Sequence, residues 1–214
     1  MESKHEPPRD CPLCPRLAAF RHDNRTRFSD HFNDPVPTFG PADARLLIVG
    51  LAPGLHGANR TGRPFTGDHA GLLLYRTLHR FGFASRPESK SRDDGLKLID
   101  CRISNSVKCV PPENKPTPAE IRTCNRYLTA ELARKPGAPL LLALGSIAHN
   151  AALRARALKP SEYKFGHAAE HELPNGQMLL NSYHCSRYNT QTGRLTEKMF
   201  ADVFARARKL LDER

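Results

Sequence analysis

The chain has 214 residues, with 33 Lys and Arg against 22 Asp and Glu and a net charge of +11. That length suffices for one ordinary core. No apolar run approaches the roughly 20 residues of a membrane span, and the opening MESKHEPPRD has no signal-peptide core. The expectation is a cytoplasmic chain with reduced thiols and no membrane partner. Its basic excess, spread along the sequence, is suited to a polyanion, nucleic acid first; a merely cationic surface is the alternative.

In chain order, Cys11-Pro12-Leu13-Cys14-Pro15 is a proline-flanked CxxC knuckle, and Arg16 to Phe28 follows as a short helix. A connector with Pro35, Pro37 and Pro41 leads to a first strand, Arg45–Val49. The strand empties into a long loop, Leu51–Ala70, and a helical pattern resumes over Gly71–Phe81 with Leu72, Leu73, Tyr75 and Leu78 apolar. Long irregular loops inside compact domains tend to be functional. A polar loop covers Ser85–Gly95, and a second strand runs from about Ile99 to Val107.

Past PPENKPTP, Thr117-Pro118 starts a helix that runs to about Arg134 and carries Cys124 on its inner half. Pro139–Leu144 is a third strand, continuously apolar as burial on both faces requires. Ser146 caps a helix over Ile147–Leu158, and Met178–Tyr183 is the fourth strand. The last helix, from Thr196, buries Met199, Phe200, Val203, Phe204, Ala207, Leu210 and Leu211. Strands alternating with helices imply an α/β fold: a three-layer α/β/α sandwich around a mainly parallel four-stranded sheet. Residues 1–214 read as a single domain that includes the cysteine knuckle, about 11–28.

The chain has six cysteines. In a reducing compartment, Cys11 and Cys14 together with Cys109 and Cys124 read better as a metal site than as disulfides. Four thiolates could hold tetrahedral zinc or a [4Fe–4S] cluster. Zinc ribbons pair two CxxC knuckles, and the widely split second pair suits a bulky cluster better. A stray CxxC with buried apolar thiols is the alternative. Cys101 and Cys185 stand apart.

Three loops leave the strand ends on one side of the sheet, where open α/β sheets bind ligands. They are Leu51–Ala70, Asn105–Lys108 and Tyr183–Gly193, the last with the core His184-Cys185-Ser186-Arg187-Tyr188-Asn189. One brings an aromatic, Phe65, and an acid, Asp68; one brings an amide; one brings a histidine. Such a pocket stacks a flat ring, reads its edge and handles charge.

The ordered motifs GLAPG…HGANRTGRPFTGD, NSVKCVPPENKPTP, ALGSIAHNAAL and SYHCSRYNTQTGRLT resemble the uracil-DNA glycosylases of the iron–sulfur branch. They are most similar to family 5, the type-b enzymes, over nearly the whole chain. The resemblance implies DNA repair by base flipping. The N-glycosidic bond of uracil, and of other deaminated bases such as hypoxanthine, is hydrolysed to leave an abasic site. It also implies a structural [4Fe–4S] cluster on the positions matching Cys11, Cys14, Cys109 and Cys124.

By the same resemblance, Phe65 stacks on the flipped ring, with Ala52 and Gly54 in the base pocket. Asn105 pairs with the base edge, and His184 donates to the charge gathering on the departing base. The related family 4 enzymes carry an acid directly after the strand, as GEAPG; here that position is Leu51. Holding water then falls to Asp68, aided by Asn105 or Asn59, and Asp68 also has the position of a helix cap. The DNA contacts implied are Arg60, Arg63, Ser186, Arg187 and Tyr188, with Tyr188 as wedge and with Gly57 and Gly62 admitting backbone amides.

His184-Cys185-Ser186 stands where the family usually has His-Pro-Ser, which puts the stiffness of that loop in question. The expected partner is deaminated DNA, bound by a monomer associated with the nucleoid. Leu51 and Cys185 also motivate another reading, a non-catalytic module that binds damaged or single-stranded DNA. An iron–sulfur electron-transfer protein is a more distant third.

Overall fold

The computed structural model describes residues 5–134 and 137–213. Its elements in order are α1 (Pro15–Arg27), β1 (Leu46–Gly50), α2 (Ala58–Thr61), α3 (His69–Arg80), β2 (Cys101–Asn105) and α4 (Pro118–Leu132). They continue with β3 (Leu140–Leu144), α5 (Ser146–Ala155), β4 (Glu170–Glu172), β5 (Met178–Ser182), α6 (Arg187–Gln191) and α7 (Glu197–Asp212).

The strands form one sheet in the order β2-β1-β3-β5-β4. β1 lies parallel to β2 and β3, and β3 parallel to β5. Strand side chains alternate between faces, and each face of this sheet is covered. Leu46, Ile48, Leu140, Leu142 and Leu180 pack in one cluster with α3 and α7. Leu47, Val49, Leu141, Ala143 and Leu179 pack in the other with α1, α4 and α5. That double cover is why β1 and β3 read as unbroken apolar runs.

The sheet has five strands rather than the expected four. β4, with the sequence Glu170-His171-Glu172, pairs antiparallel with β5 at the edge. Three polar residues carry no apolar alternation, so the sequence gives this strand no signal. At the other edge the proline-rich connector closes the sheet, with Phe39 exchanging backbone hydrogen bonds with Ile103; pairing blunts the edge.

Helix starts follow local capping chemistry. Pro15 opens α1, and Thr117 with Glu120 forms a complete capping box on α4. Thr196 caps α7. For α5 the cap is Gly145, at φ 96, and Ser146 is the first helical residue rather than the cap. The strand-to-helix turn needs a positive φ that glycine adopts at little cost. Two short helices, α2 and α6, occupy what the sequence presents as loop.

Candidate active site

The carboxyl ends of β1 and β2 place Gly50 opposite Asn105 in register. A Cβ on Gly50 would lie 2.5 Å from Asn105 Oδ1 and 2.7 Å from two ring carbons of Phe65. Only a glycine there lets the amide and the ring close over the strand end. Gly50 is the residue that sequence reasoning missed, and its signal was small: a glycine ending an apolar strand ahead of a long loop.

Phe65 is buried and sits at φ 54, a region a bulky residue rarely occupies. A Cβ on Gly71 would lie 1.7 Å from the Phe65 carbonyl oxygen, so the first turn of α3 carries a glycine where it abuts this turn. The His184 ring lies 5.9 Å from the Phe65 ring, centroid to centroid, at 30°. Phe65, Asn105 and His184 therefore converge from three separate loops.

Asn105 is 3% exposed, and its Oδ1 has no hydrogen-bond partner among the described residues. Buried side-chain oxygens are nearly always paired. Beside the Phe65 ring, this oxygen is left with its acceptor capacity unused.

Asp68 is the N-cap of α3, its Oδ1 accepting from the Gly71 amide at 2.9 Å. Oδ2 points the other way, toward Gly54 and Gly57, where a Cβ would lie 3.7 Å and 2.6 Å from it. Both glycines keep that oxygen uncovered. Burial pushes the Asp68 carboxyl above its ordinary range, against the opposing pull of the Gly71 amide. It lines a cleft of about 920 Å³ with Gly54, His56, Lys90, Asn114 and Arg187.

His184 follows β5 and is partly buried. Desolvation lowers its pKa to about 4, so the imidazole is neutral at physiological pH. It lines a second, smaller pocket of about 200 Å³ with Leu51, Gly145, Ser146, Tyr183 and Arg194. Cys185 is fully buried in the core beneath it. Ser186 caps α6, its hydroxyl accepting from the Asn189 amide, and Asn189 Nδ2 donates to the His184 carbonyl at 2.8 Å. A buried side chain and a capped helix hold this segment in place of the missing proline.

The remaining expected residues divide by exposure. Tyr188 is 71% exposed, and Arg60 and Arg187 face solvent. Ala52 is half-buried at the end of β1, against the cluster that holds Val49. Arg63 does not face outward as expected: it is 4% exposed, pairs with Asp94 at 2.8 Å and stacks over Phe39. Asn59, expected to aid in holding water, is buried and donates to Asn33. Gly62 packs against the Phe32 ring, with φ 71 at the end of α2. Arg63, Asn59 and Gly62 thus brace the long loop from behind.

Asp94 is half-buried, which alone would raise its pKa, yet Arg63 and three backbone amides hold it at about 2. Removing one partner of a buried pair typically costs 3–5 kcal/mol. Arg63→Met should lower stability by about that amount in urea unfolding. The Asp94 contribution is present above the unfolded carboxylate value. In the parent protein it is lost as pH falls from about 4 toward about 2.

Cys11, Cys14, Cys109 and Cys124 line one cavity, between Leu17 and Arg21 of α1 and Tyr127 of α4. Three hydrogen bonds reach their sulfurs. Arg21 Nη1 and the Lys108 amide each lie 3.3 Å from Cys109 and Cys124 respectively, and the Tyr127 hydroxyl is 3.5 Å from Cys11. Burial pushes the Cys14, Cys109 and Cys124 thiols up, to about 11 for Cys109 and about 12 for Cys124. As bare thiols these three hold their protons, which a metal would displace. No three metal-ligating side chains among the described residues gather at a single-ion position. Cys101 is buried in the opposite core cluster, with Cys185.

The family profile described as the Uracil DNA glycosylase superfamily matches residues 37–208. The chain is 48% identical to the Type-5 uracil-DNA glycosylase of Thermus thermophilus, covering 94% of this chain and 93% of that protein. A Type-5 uracil-DNA glycosylase of Mycobacterium tuberculosis is 45% identical, over 94% of this chain and 78% of its own length. The Type-5 enzyme of Pyrobaculum aerophilum is 39% identical, over 92% and 88%.

Proposed function

Because the chain belongs to the uracil DNA glycosylase superfamily, we propose a chemical role for each group of the candidate site. The protein is a DNA-repair hydrolase that cleaves the N-glycosyl bond of uracil in DNA. The observation that carries the assignment of roles is the unpartnered Oδ1 of Asn105 beside the Phe65 ring.

The flipped uracil stacks on Phe65 between Ala52 and Gly54, and its N3–H donates to Asn105 Oδ1 while O4 accepts from Nδ2. The bond from N1 to C1′ breaks with its electron pair on the departing base, through an oxocarbenium-like sugar. His184, neutral at its lowered pKa, donates a hydrogen bond to the base oxygen where charge gathers. Asp68 holds a water with its free oxygen, takes its proton as the water oxygen joins C1′, and leaves an abasic sugar. Leu51 supplies no acid, and Asp68 is the buried carboxylate of the cleft.

Arg60 and Arg187 contact flanking phosphates, Ser186 positions the helix that carries Arg187, and Tyr188 fills the gap left in the stack. Hypoxanthine shares uracil's carbonyl and N–H edge, which extends the reading to that base. We read residues 1–214 as one domain acting as a monomer, in the cytoplasm at the nucleoid. Among the described residues no helix is long and apolar enough to cross a membrane.

The four cysteines fit a [4Fe–4S] cluster: they surround a common cavity, and Cys109 and Cys124 receive hydrogen bonds at sulfur. The cluster would supply structure, because hydrolysis by water moves no electrons. Its ligands tie the knuckle before α1 to α4 and to the segment that follows Asn105 at the end of β2.

Asn105→Asp tests the reading. It sets an acceptor against uracil O4 and leaves a buried group unpaired, a penalty of about 1–3 kcal/mol. Single-turnover excision of uracil should fall about 5- to 150-fold, with excision of hypoxanthine falling in parallel. Undiminished excision of uracil would remove Asn105 as the reader.

A further inference from the structure

Four Arg and Lys side chains are buried among the described residues: Arg21, Arg63, Arg102 and Lys108. Three have a carboxylate. Arg63 pairs with Asp94 at 2.8 Å, Arg102 with Glu131 at 2.8 Å and Lys108 with Glu6 at 3.2 Å. Arg21, at 4% exposure, has no carboxylate partner among the described residues. Its Nη1 donates to Cys109 Sγ at 3.3 Å, its Nη2 donates to the Cys11 carbonyl at 3.1 Å, and its Nε is buried without a partner.

An unpaired buried charge is costly, and an arginine cannot escape by losing its proton. Neutral thiols offer no compensation. Four thiolates around a [4Fe–4S]²⁺ core carry a net charge of about −2, which meets the requirement on the side Arg21 faces. We propose that Arg21 is the counter-charge of the cysteine site: it stabilises the more anionic state of the bound cluster and so raises its reduction potential. This rests on the cluster reading given above.

Hydrogen bonds to the sulfurs and burial are the terms by which a protein sets a cluster's potential. Arg21 adds a full positive charge inside the same dry cavity. Tyr127 shares a neutral hydrogen bond with Cys11 at 3.5 Å and contributes less. A role as a pin alone would use only the Nη2 bond to the Cys11 carbonyl, and would leave the potential unmoved.

The test uses full-length protein purified without oxygen, assayed for iron and acid-labile sulfide and then titrated electrochemically. Arg21→Gln should move the midpoint potential to more negative values. Arg21→Lys, which keeps the charge, should lie nearer the parent. Arg27→Gln, on the exposed side of the same helix, should match the parent. A fully loaded Arg21→Gln protein with the parent's potential would overturn the proposal and leave the cluster reading standing.

Parent protein holding zinc, or no metal with no sulfide, would overturn both. If Arg21→Gln folds but does not load while Arg21→Lys loads, the charge requirement is upheld. If neither loads, the guanidinium's two-point geometry matters rather than its charge, and the proposal falls.

Discussion

Asp68→Asn is expected to slow single-turnover excision of uracil by about 10²- to 10⁴-fold, the range of a positioned proton acceptor, with little change in stability. The two halves of that expectation come from the two oxygens of one carboxylate. Oδ1 caps α3 through the Gly71 amide, and Oδ2 points into the cleft between Gly54 and Gly57. Asparagine caps a helix about as well as aspartate, so it preserves the first function and removes the second. Asp68→Ala removes both and should cost about 1 kcal/mol of stability besides the rate.

The pH profile gives the same residue a second signature. Burial raises the Asp68 pKa, with the Gly71 amide opposing. The active form is the carboxylate, so the rate should fall as pH drops through that raised value. Asp68→Asn should flatten this acid limb. An unchanged rate and an unchanged limb in Asp68→Asn would leave the residue a cap and nothing more.

His184→Ala should cost about 10²- to 10³-fold in the same single-turnover rate, the usual consequence of losing one preorganised donor to a developing anion. The ring contacts Phe65 and faces the smaller pocket, so DNA affinity should change far less than rate. With its pKa near 4, His184 does not change charge between pH 8 and pH 5. The acid limb of the His184→Ala profile should therefore coincide with that of the parent, unlike that of Asp68→Asn. Parent-like excision by His184→Ala would end the donor role.

Much of this was legible in the sequence because covered sheets write themselves plainly. β1 and β3 are unbroken apolar runs, and α7 places Phe200, Val203, Phe204, Ala207 and Leu211 at helical spacing. The motif positions Phe65, Asn105 and His184 do meet in space. What was not legible depends on contacts distant in sequence. Arg63 resembles a phosphate-binding arginine among its polar neighbours, and only the fold brings Asp94 to it from a loop about 30 residues away. β4 exists because β5 offers it an edge, and nothing in Glu-His-Glu announces a strand. Cys185 read as a loss of stiffness in the third loop. Its burial, with the Ser186 cap following it, supplies a different anchor for that loop.

The central claim is that Phe65, Asn105, His184 and Asp68 together remove uracil from DNA by hydrolysis. Its most direct test is single-turnover incubation with a labelled duplex carrying one uracil opposite guanine, followed by alkali to cut abasic sites. A cut at the uracil position in the parent, absent from an undamaged duplex, is the predicted result. Cluster-loaded protein that binds the duplex and leaves it uncut after alkali would contradict the account.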